Sequence, residues 1–246
     1  MSRLIQELAS PGTLFCMLAV MLGACLQGAV GIGFALFAAP IVVLVQPDLV
    51  PGPMLVVGGA VSLLAALREW RRIDVRFAMI AFAGRVPGSI LAGLFIGFLP
   101  RTAFALLFAV LILLAVALST GRQQVAPRPR MLGIAGFASG FMGTITSVGT
   151  PPMGLALQSL DPARMRATIG AFLVAGSIVS LAVLAFAGRF HWREFTLSFL
   201  LLPPMALGFC VSSLLLGKIK PAAVRRAVLV ISALAALLLI AKALHA

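Results

Sequence analysis

The residues best placed to do chemistry lie in a matched pair of glycine-rich apolar stretches. Gln27-Gly28-Ala29-Val30-Gly31-Ile32-Gly33-Phe34 is followed by Pro40 and Gln46. Gly28, Gly31, Pro40 and Gln46 recur as Gly140, Gly143, Pro152 and Gln158, each 112 residues later. Glycines in such numbers predict a broken helix. N–H groups freed where a helix restarts, with the helix dipole behind them, form an anion site. The second stretch, Ser139 to Pro152, carries Ser139, Thr144, Thr146, Ser147 and Thr150, hydroxyl donors suited to an oxyanion. The competing account is close packing through small residues, with the hydroxyls bonded to their own helix. Recurrence in paired segments, with a proline at a fixed offset, favours the binding site, because paired broken helices hold the site in many transporters.

Arg85 is the second candidate. It is the only charge well inside an apolar span, and Pro87 and Gly88 follow it. An Arg at the bilayer centre costs at least about 2.5–3.5 kcal/mol. It acts either as a fixed positive charge for an anionic substrate or as a side chain that snorkels or binds carbonyls freed near Pro87. Both readings stay open. Gln46 and Gln158, at equivalent ends of the two stretches, either line the site or face the interface.

All six carboxylates (Glu7, Asp48, Glu69, Asp74, Asp161, Glu194) fall in loops or turns, so no intramembrane proton relay has a candidate. His191 and His245 lie outside the spans. There is no Ser/His/Asp set, no metal-ligand spacing and no phosphate-binding loop. The chain is therefore expected not to be an enzyme and to carry no cofactor.

These residues need a scaffold, and composition defines it. Of 246 residues, 62% are hydrophobic and 10% charged. A soluble domain carries about 25% charged residues. Lipid must be the solvent here. The net charge of +13 resides in short loops between apolar runs, where it sets topology, and no basic face interleaved with aromatics exists for nucleic acid. Cys16, Cys25 and Cys210 lie in apolar runs at no metal-ligand spacing. Cys25 ends a faint lipoprotein-like box, but the chain that follows itself spans the membrane, so the N-terminus is expected to be uncleaved.

Residues 12–47 carry no charge. One straight helix of that length would reach about 54 Å, against a hydrocarbon core of about 30 Å. The segment must break, at Gly28/Gly31/Gly33, and residues 131–160 must break around 143–152. Three spans follow each broken segment. If the broken segments cross the membrane, Lys and Arg divide 11 against 7, leaving out Arg85; if they turn back, the division is 13 against 5. The excess of positive charge on cytoplasmic loops favours the second topology, which makes the repeats inverted. The expected fold is an all-α polytopic membrane protein of two homologous halves, residues 1–120 and 131–246, joined by a basic linker at 121–130. Each half is a broken or re-entrant segment followed by three transmembrane helices.

Gly28-x-x-Gly31-Ile32-Gly33 with Pro40, repeated as Gly140-x-x-Gly143 with Pro152 in a chain of this length, resembles the TauE/SafE sulfite exporter family, also called domain of unknown function 81. The likeness covers nearly the whole chain. It implies a permease of the bacterial inner membrane that exports sulfite or a small organosulfur anion. The expected partners are a small anionic substrate and the lipid bilayer, with no nucleic acid. Two features depart from the family pattern. Phe34 and Phe37 stand where further small residues are usual, and Thr144-Ile145-Thr146 replaces a Gly-rich run. Both predict a narrower cavity. Arg85 matches no family motif.

Overall fold

The computed structural model describes residues 10–31, 33–121, 126–215 and 221–245. The lead-in with Arg3 and Glu7, Ile32 of the first motif, the middle of the linker, and Lys218 and Lys220 lie outside the described residues. The described residues are helical, without strands.

Helix α1 (Pro11–Val30) begins under a side-chain cap: Ser10 Oγ accepts the Thr13 N–H, and Pro11 occupies the first turn. It ends on Gly31, whose φ of 83° is left-handed. Helix α2 (Phe34–Val45) then runs back beside α1. Gly23 lies against the Phe34 carbonyl and Ala38. Gln46 Nε2 donates to Thr13 Oγ1 at 2.9 Å, so the segment finishes beside its own start. The second broken segment is built the same way from α6 (Pro129–Thr146) and α7 (Thr150–Leu157), with a turn at 147–149. Its end also returns to the face it left, since Leu155 lies against Gly121. Both segments are hairpins that turn back, as the charge division favoured.

Two details differ from expectation. The arms are unequal: 20 and 12 residues in the first hairpin, 18 and 8 in the second. α1 is thus long enough to cross a membrane by itself. Moreover, Gly140 and Gly143 do not break the second segment. The helix runs through both and ends at Thr146, with Ser147 left-handed at φ 64°. The left-handed caps are Gly31 and Ser147, which stand one helical turn further apart than the sequence repeat. A glycine inside a helix also serves close packing, and sequence spacing does not distinguish that use from a break.

The remaining helices are α3 (Gly52–Arg68), α4 (Val75–Phe98), α5 (Arg101–Thr120), α8 (Pro162–Phe186), α9 (Trp192–Leu215) and α10 (Pro221–Leu244). Six helices are long and apolar enough to cross a membrane: α1, α4, α5, α8, α9 and α10. α3, expected as a full span, has 17 residues, about 26 Å at the usual helical rise. Large apolar side chains stand fully outward, among them Phe98, Phe186, Ile134, Leu214 and Leu94. In water such a band would aggregate; in a bilayer it is the lipid face.

Packing is by exchange. α4 lies along α6, and α1 lies along α9, while α3 meets α8 and α5 meets α10. The α4–α6 contact is close because glycines face backbone: Gly84 meets the Gly133 carbonyl, Gly88 that of Phe137, and Gly140 that of Arg85.

Asp74 caps α4 by accepting the Phe77 N–H and pairs with Arg164 of α8. Partial burial pushes its carboxyl up, but the Phe77 N–H and the Arg164 guanidinium outweigh this and hold it below its ordinary value. A carboxyl lowered on folding contributes stability that is complete above its unfolded pKa, about 4, and is lost as pH falls through the lowered value. Asp74→Asn should therefore lower the unfolding temperature at pH 7 and flatten its decline below about pH 4. Thermal unfolding in detergent across pH checks this; parallel curves for the two proteins would refute it.

Candidate functional site

The two turns meet inside the protein. A cavity of about 20 Å³ lies between them, bounded by Gln27, Phe34 and Ala35 from the first hairpin and by Ser147, Gly149 and Thr150 from the second. Ser62 of α3, Arg85 of α4 and Ser177 of α8 complete its polar wall. A space of this size holds about one water. Phe34, one of the two residues expected to narrow the cavity, lines it.

Arg85, near the middle of α4, is 1% exposed. Its Nη1 donates to Ser139 Oγ at 2.9 Å, and its Nη2 reaches Ser180 Oγ at 3.4 Å. The Phe172 ring lies 5.1 Å from the guanidinium carbon. Nε has no partner. The guanidinium does not snorkel and, among the described residues, has no carboxylate against it. It reaches across the α6 backbone over Gly143, where an added Cβ would stand 3.2 Å from Nη2. Gly176 of α8 gives it room in the same way, since a Cβ there would come within 1.8 Å of Nε. The hydroxyls are themselves occupied: Ser139 Oγ donates to the Gly149 carbonyl, and Ser180 bonds Thr144 at 2.8 Å.

Of the residues singled out by sequence, Arg85, Ser147 and Thr150 line the cavity. Gly143 and Thr144 lie just behind it, through Arg85 and Ser180. Thr146 Oγ1 donates to the Met142 carbonyl and accepts the Val148 N–H, so it builds the turn. Gly140 packs against the Arg85 carbonyl. Pro40 and Pro152 are buried within α2 and α7. The other first-motif glycines sit against the opposite wall of the turn: Gly28 against Ser212, Gly31 under the Arg166 side chain, Gly33 near Val228. Gln46 and Gln158 are not brought together. Gln46 lines an open vestibule, whereas Gln158 is outside it and its Nε2 is unpartnered.

Sequence reasoning missed Gln27, Ser62 and Ser177. Gln27 opens the first motif and was passed over for the glycines beside it; Ser139, a hydroxyl of the second stretch, holds Arg85 and does not line the cavity. Ser62 and Ser177 gave a weaker signal: lone hydroxyls next to glycine pairs or single glycines in apolar helices.

The vestibule, about 750 Å³, lies on the face of the α1 start and the 188–194 loop. Arg101, Arg189, Asp48 and His191 are among its lining residues. Pro51 lines it as well, and the Pro51 carbonyl accepts a hydrogen bond from Ser147 Oγ at 3.0 Å. That bond stands between vestibule and cavity. The opposite face is tied across: Arg166 pairs with Glu69 over Gly31, Arg164 with Asp74, and Arg68 donates to the Gly28 carbonyl and to Ser213 Oγ. Among the described residues, no group of His, Cys, Asp or Glu could hold a metal ion.

A bundle of apolar helices with two internal hairpin turns, an outward apolar face and a buried cation defines a multi-pass membrane protein of the transporter class. The family model described as Sulfite exporter TauE/SafE matches residues 16–239. The chain belongs to the sulfite exporter TauE/SafE family. No curated protein and no solved structure matches significantly.

Proposed function

We propose that the protein is a permease of the bacterial inner membrane that moves sulfite or a short sulfonate by alternating access, binding it in the cavity between the two turns. The observation that carries this reading is the Arg85 guanidinium: fully buried in a residue that lines the cavity, and held only by neutral groups, the Ser139 and Ser180 hydroxyls and the Ser139 carbonyl. A buried cation without a counter-ion is costly, and a bound anion supplies one. An oxyanion also accepts hydrogen bonds from lining hydroxyls such as Ser62 and Ser177, which a halide does less specifically.

Alternating access is supported by the asymmetry of the two faces. One opens into a wide vestibule and the other is tied by ion pairs, while the cavity between is too small for the substrate without rearrangement. Residues 1–120 and 131–246 act in this reading as inverted repeats. The reciprocal packing of α1 on α9 and of α4 on α6 supports that relation, because each repeat then lends its hairpin to the second of the three helices that follow the other's hairpin.

The test is thermal unfolding of the purified protein with sulfite, sulfate and methanesulfonate. Sulfite at about 100 times its Kd should stabilise by about 2.7 kcal/mol, a rise of about 5–10 °C for a chain of this size. No rise with any sulfur oxyanion, together with a rise for a cation, would refute the proposal.

A further inference from the structure

Gln27 lines the cavity and also closes the turn of the first hairpin with its side chain. It is 5% exposed. Its Oε1 accepts the Phe34 N–H at 3.2 Å, closing the first turn of α2, which has no side-chain cap from Gly33. That bond fixes which end of the amide is which, and the oxygen is spent on the backbone. The Nε2 end has no hydrogen-bond partner among the described residues, although Gln27 lines the cavity that Arg85 lines from another helix. A primary amide nitrogen carries two donors and accepts nothing. The cavity is thus lined by Arg85 from α4 and by Gln27 from α1, whose NH2 group has no bond among the described residues, with no carboxylate among its lining residues.

We propose that Gln27 is the specificity-determining residue of the cavity. Its NH2 group donates to one oxygen of the bound oxyanion while Arg85 neutralises the charge, and its Oε1 keeps the α1–α2 turn closed. Arg85 attracts any small anion; Gln27 rewards one that has an oxygen acceptor at the right place. A site built to hydrogen-bond its guest rejects analogues that lack the group, because the donor is left unpaired in a dry cavity. The inference rests on the permease reading above, and its experiment is arranged so that the two can fail separately.

Two substitutions isolate the nitrogen. Gln27→Glu is nearly isosteric and keeps an oxygen for the Phe34 N–H, but replaces the NH2 donor by a second carboxylate oxygen facing the anion. Gln27→Met keeps the volume and removes both the donor and the turn bond. Binding of sodium sulfite and of sodium chloride is followed by thermal unfolding titrations of the full chain, with the unliganded unfolding temperature as the measure of folding. Gln27→Glu should unfold at or above the wild-type temperature without ligand and lose at least about 100-fold in sulfite affinity, with chloride weakened as well. Gln27→Met should lose about 10-fold for sulfite and little for chloride, so that the sulfite-to-chloride preference falls toward one. A purely structural Gln27 would lower the unfolding temperature and leave that preference unchanged. Should Gln27→Glu fail to fold, the preference measured in Gln27→Met decides. Wild-type preference in Gln27→Met, or wild-type sulfite affinity in Gln27→Glu, overturns the assignment. Absence of any sulfite response in the wild-type protein overturns the permease reading instead.

Discussion

Arg85→Met is expected to fold, to unfold at the wild-type temperature or above it in the absence of ligand, and to lose the sulfite response. The two halves of this expectation have separate causes. Without ligand, the guanidinium is a desolvated charge with only neutral partners. Replacing such a group by an apolar side chain of similar length is neutral or stabilising, typically by about 0–4 kcal/mol. The substitution also orphans little. Ser139 Oγ keeps its bond to the Gly149 carbonyl, and Ser180 keeps Thr144. With ligand, the variant lacks the only cation among the described residues that line the cavity. Hydrogen bonds to a charged group are worth about 1.5–3 kcal/mol each, so transport into proteoliposomes should fall at least about 100-fold. The opposite pattern, a fall of many degrees in unfolding temperature with the sulfite response intact, would make Arg85 a latch among α4, α6 and α8 and nothing more. Arg85→Lys sharpens the result. It keeps the charge but loses the planar fork that reaches Ser139 and Ser180 together, so it should retain anion binding at reduced affinity.

The second large effect separates two glycines that look equivalent in the sequence. Gly140→Ala should destabilise the protein severely, whereas Gly143→Ala should fold and impair anion binding. At Gly140 an added Cβ would come within 2.3 Å of the Arg85 carbonyl oxygen and 3.0 Å of the Ser89 nitrogen. Both are backbone atoms of α4, so the helices must separate along their closest contact. Overpacking of this kind costs about 1–3 kcal/mol or more, and a chain of this length loses about 2–4 °C per kcal/mol. At Gly143 the nearest atoms are Arg85 Nη2 at 3.2 Å and the Gly149 Cα at 3.3 Å. The flexible end of the Arg85 side chain yields by a few tenths of an ångström, and the guanidinium leaves its bonded position. Unfolding temperature and sulfite titration, measured on both variants, read the two effects. Equal destabilisation of both, with no change in anion affinity at Gly143, would return the second motif to packing alone. Gly31 is a third case: its left-handed φ and the Arg166 side chain above it leave no room for a Cβ, so its substitution tests the turn and not the cavity.

These distinctions show where the sequence stops being readable. Its composition, its charge-free runs and the positions of its few carboxylates were enough to define a multi-pass helical membrane protein, because lipid admits only helices and closed barrels, and continuous apolar runs of about 20 residues are helical spans. The repeated glycine and proline spacing was enough to reveal two broken segments and the family. Charge division across the loops was enough to favour hairpins that turn back. Arg85 stood out because a cation inside a span demands an explanation wherever it lies.

Other properties depended on distances between residues remote in the chain. The sequence repeat aligned Gly31 with Gly143, but the left-handed turn fell on Ser147, because Gly143 was needed as space for a guanidinium arriving from α4. Gly140 took a packing role because α4 happens to cross α6 at that turn. Gln46 and Gln158, matched in sequence, separated in space because each arm ends on a different side of the protein. The cavity needed Gln27, Ser62, Arg85, Ser147 and Ser177 to converge from five helices and turns. The physical reason is general to such proteins. Hydrophobicity and backbone hydrogen bonding are local, so they are written in runs and spacings. Close helix packing and the enclosure of a buried charge are decided only when the helices meet.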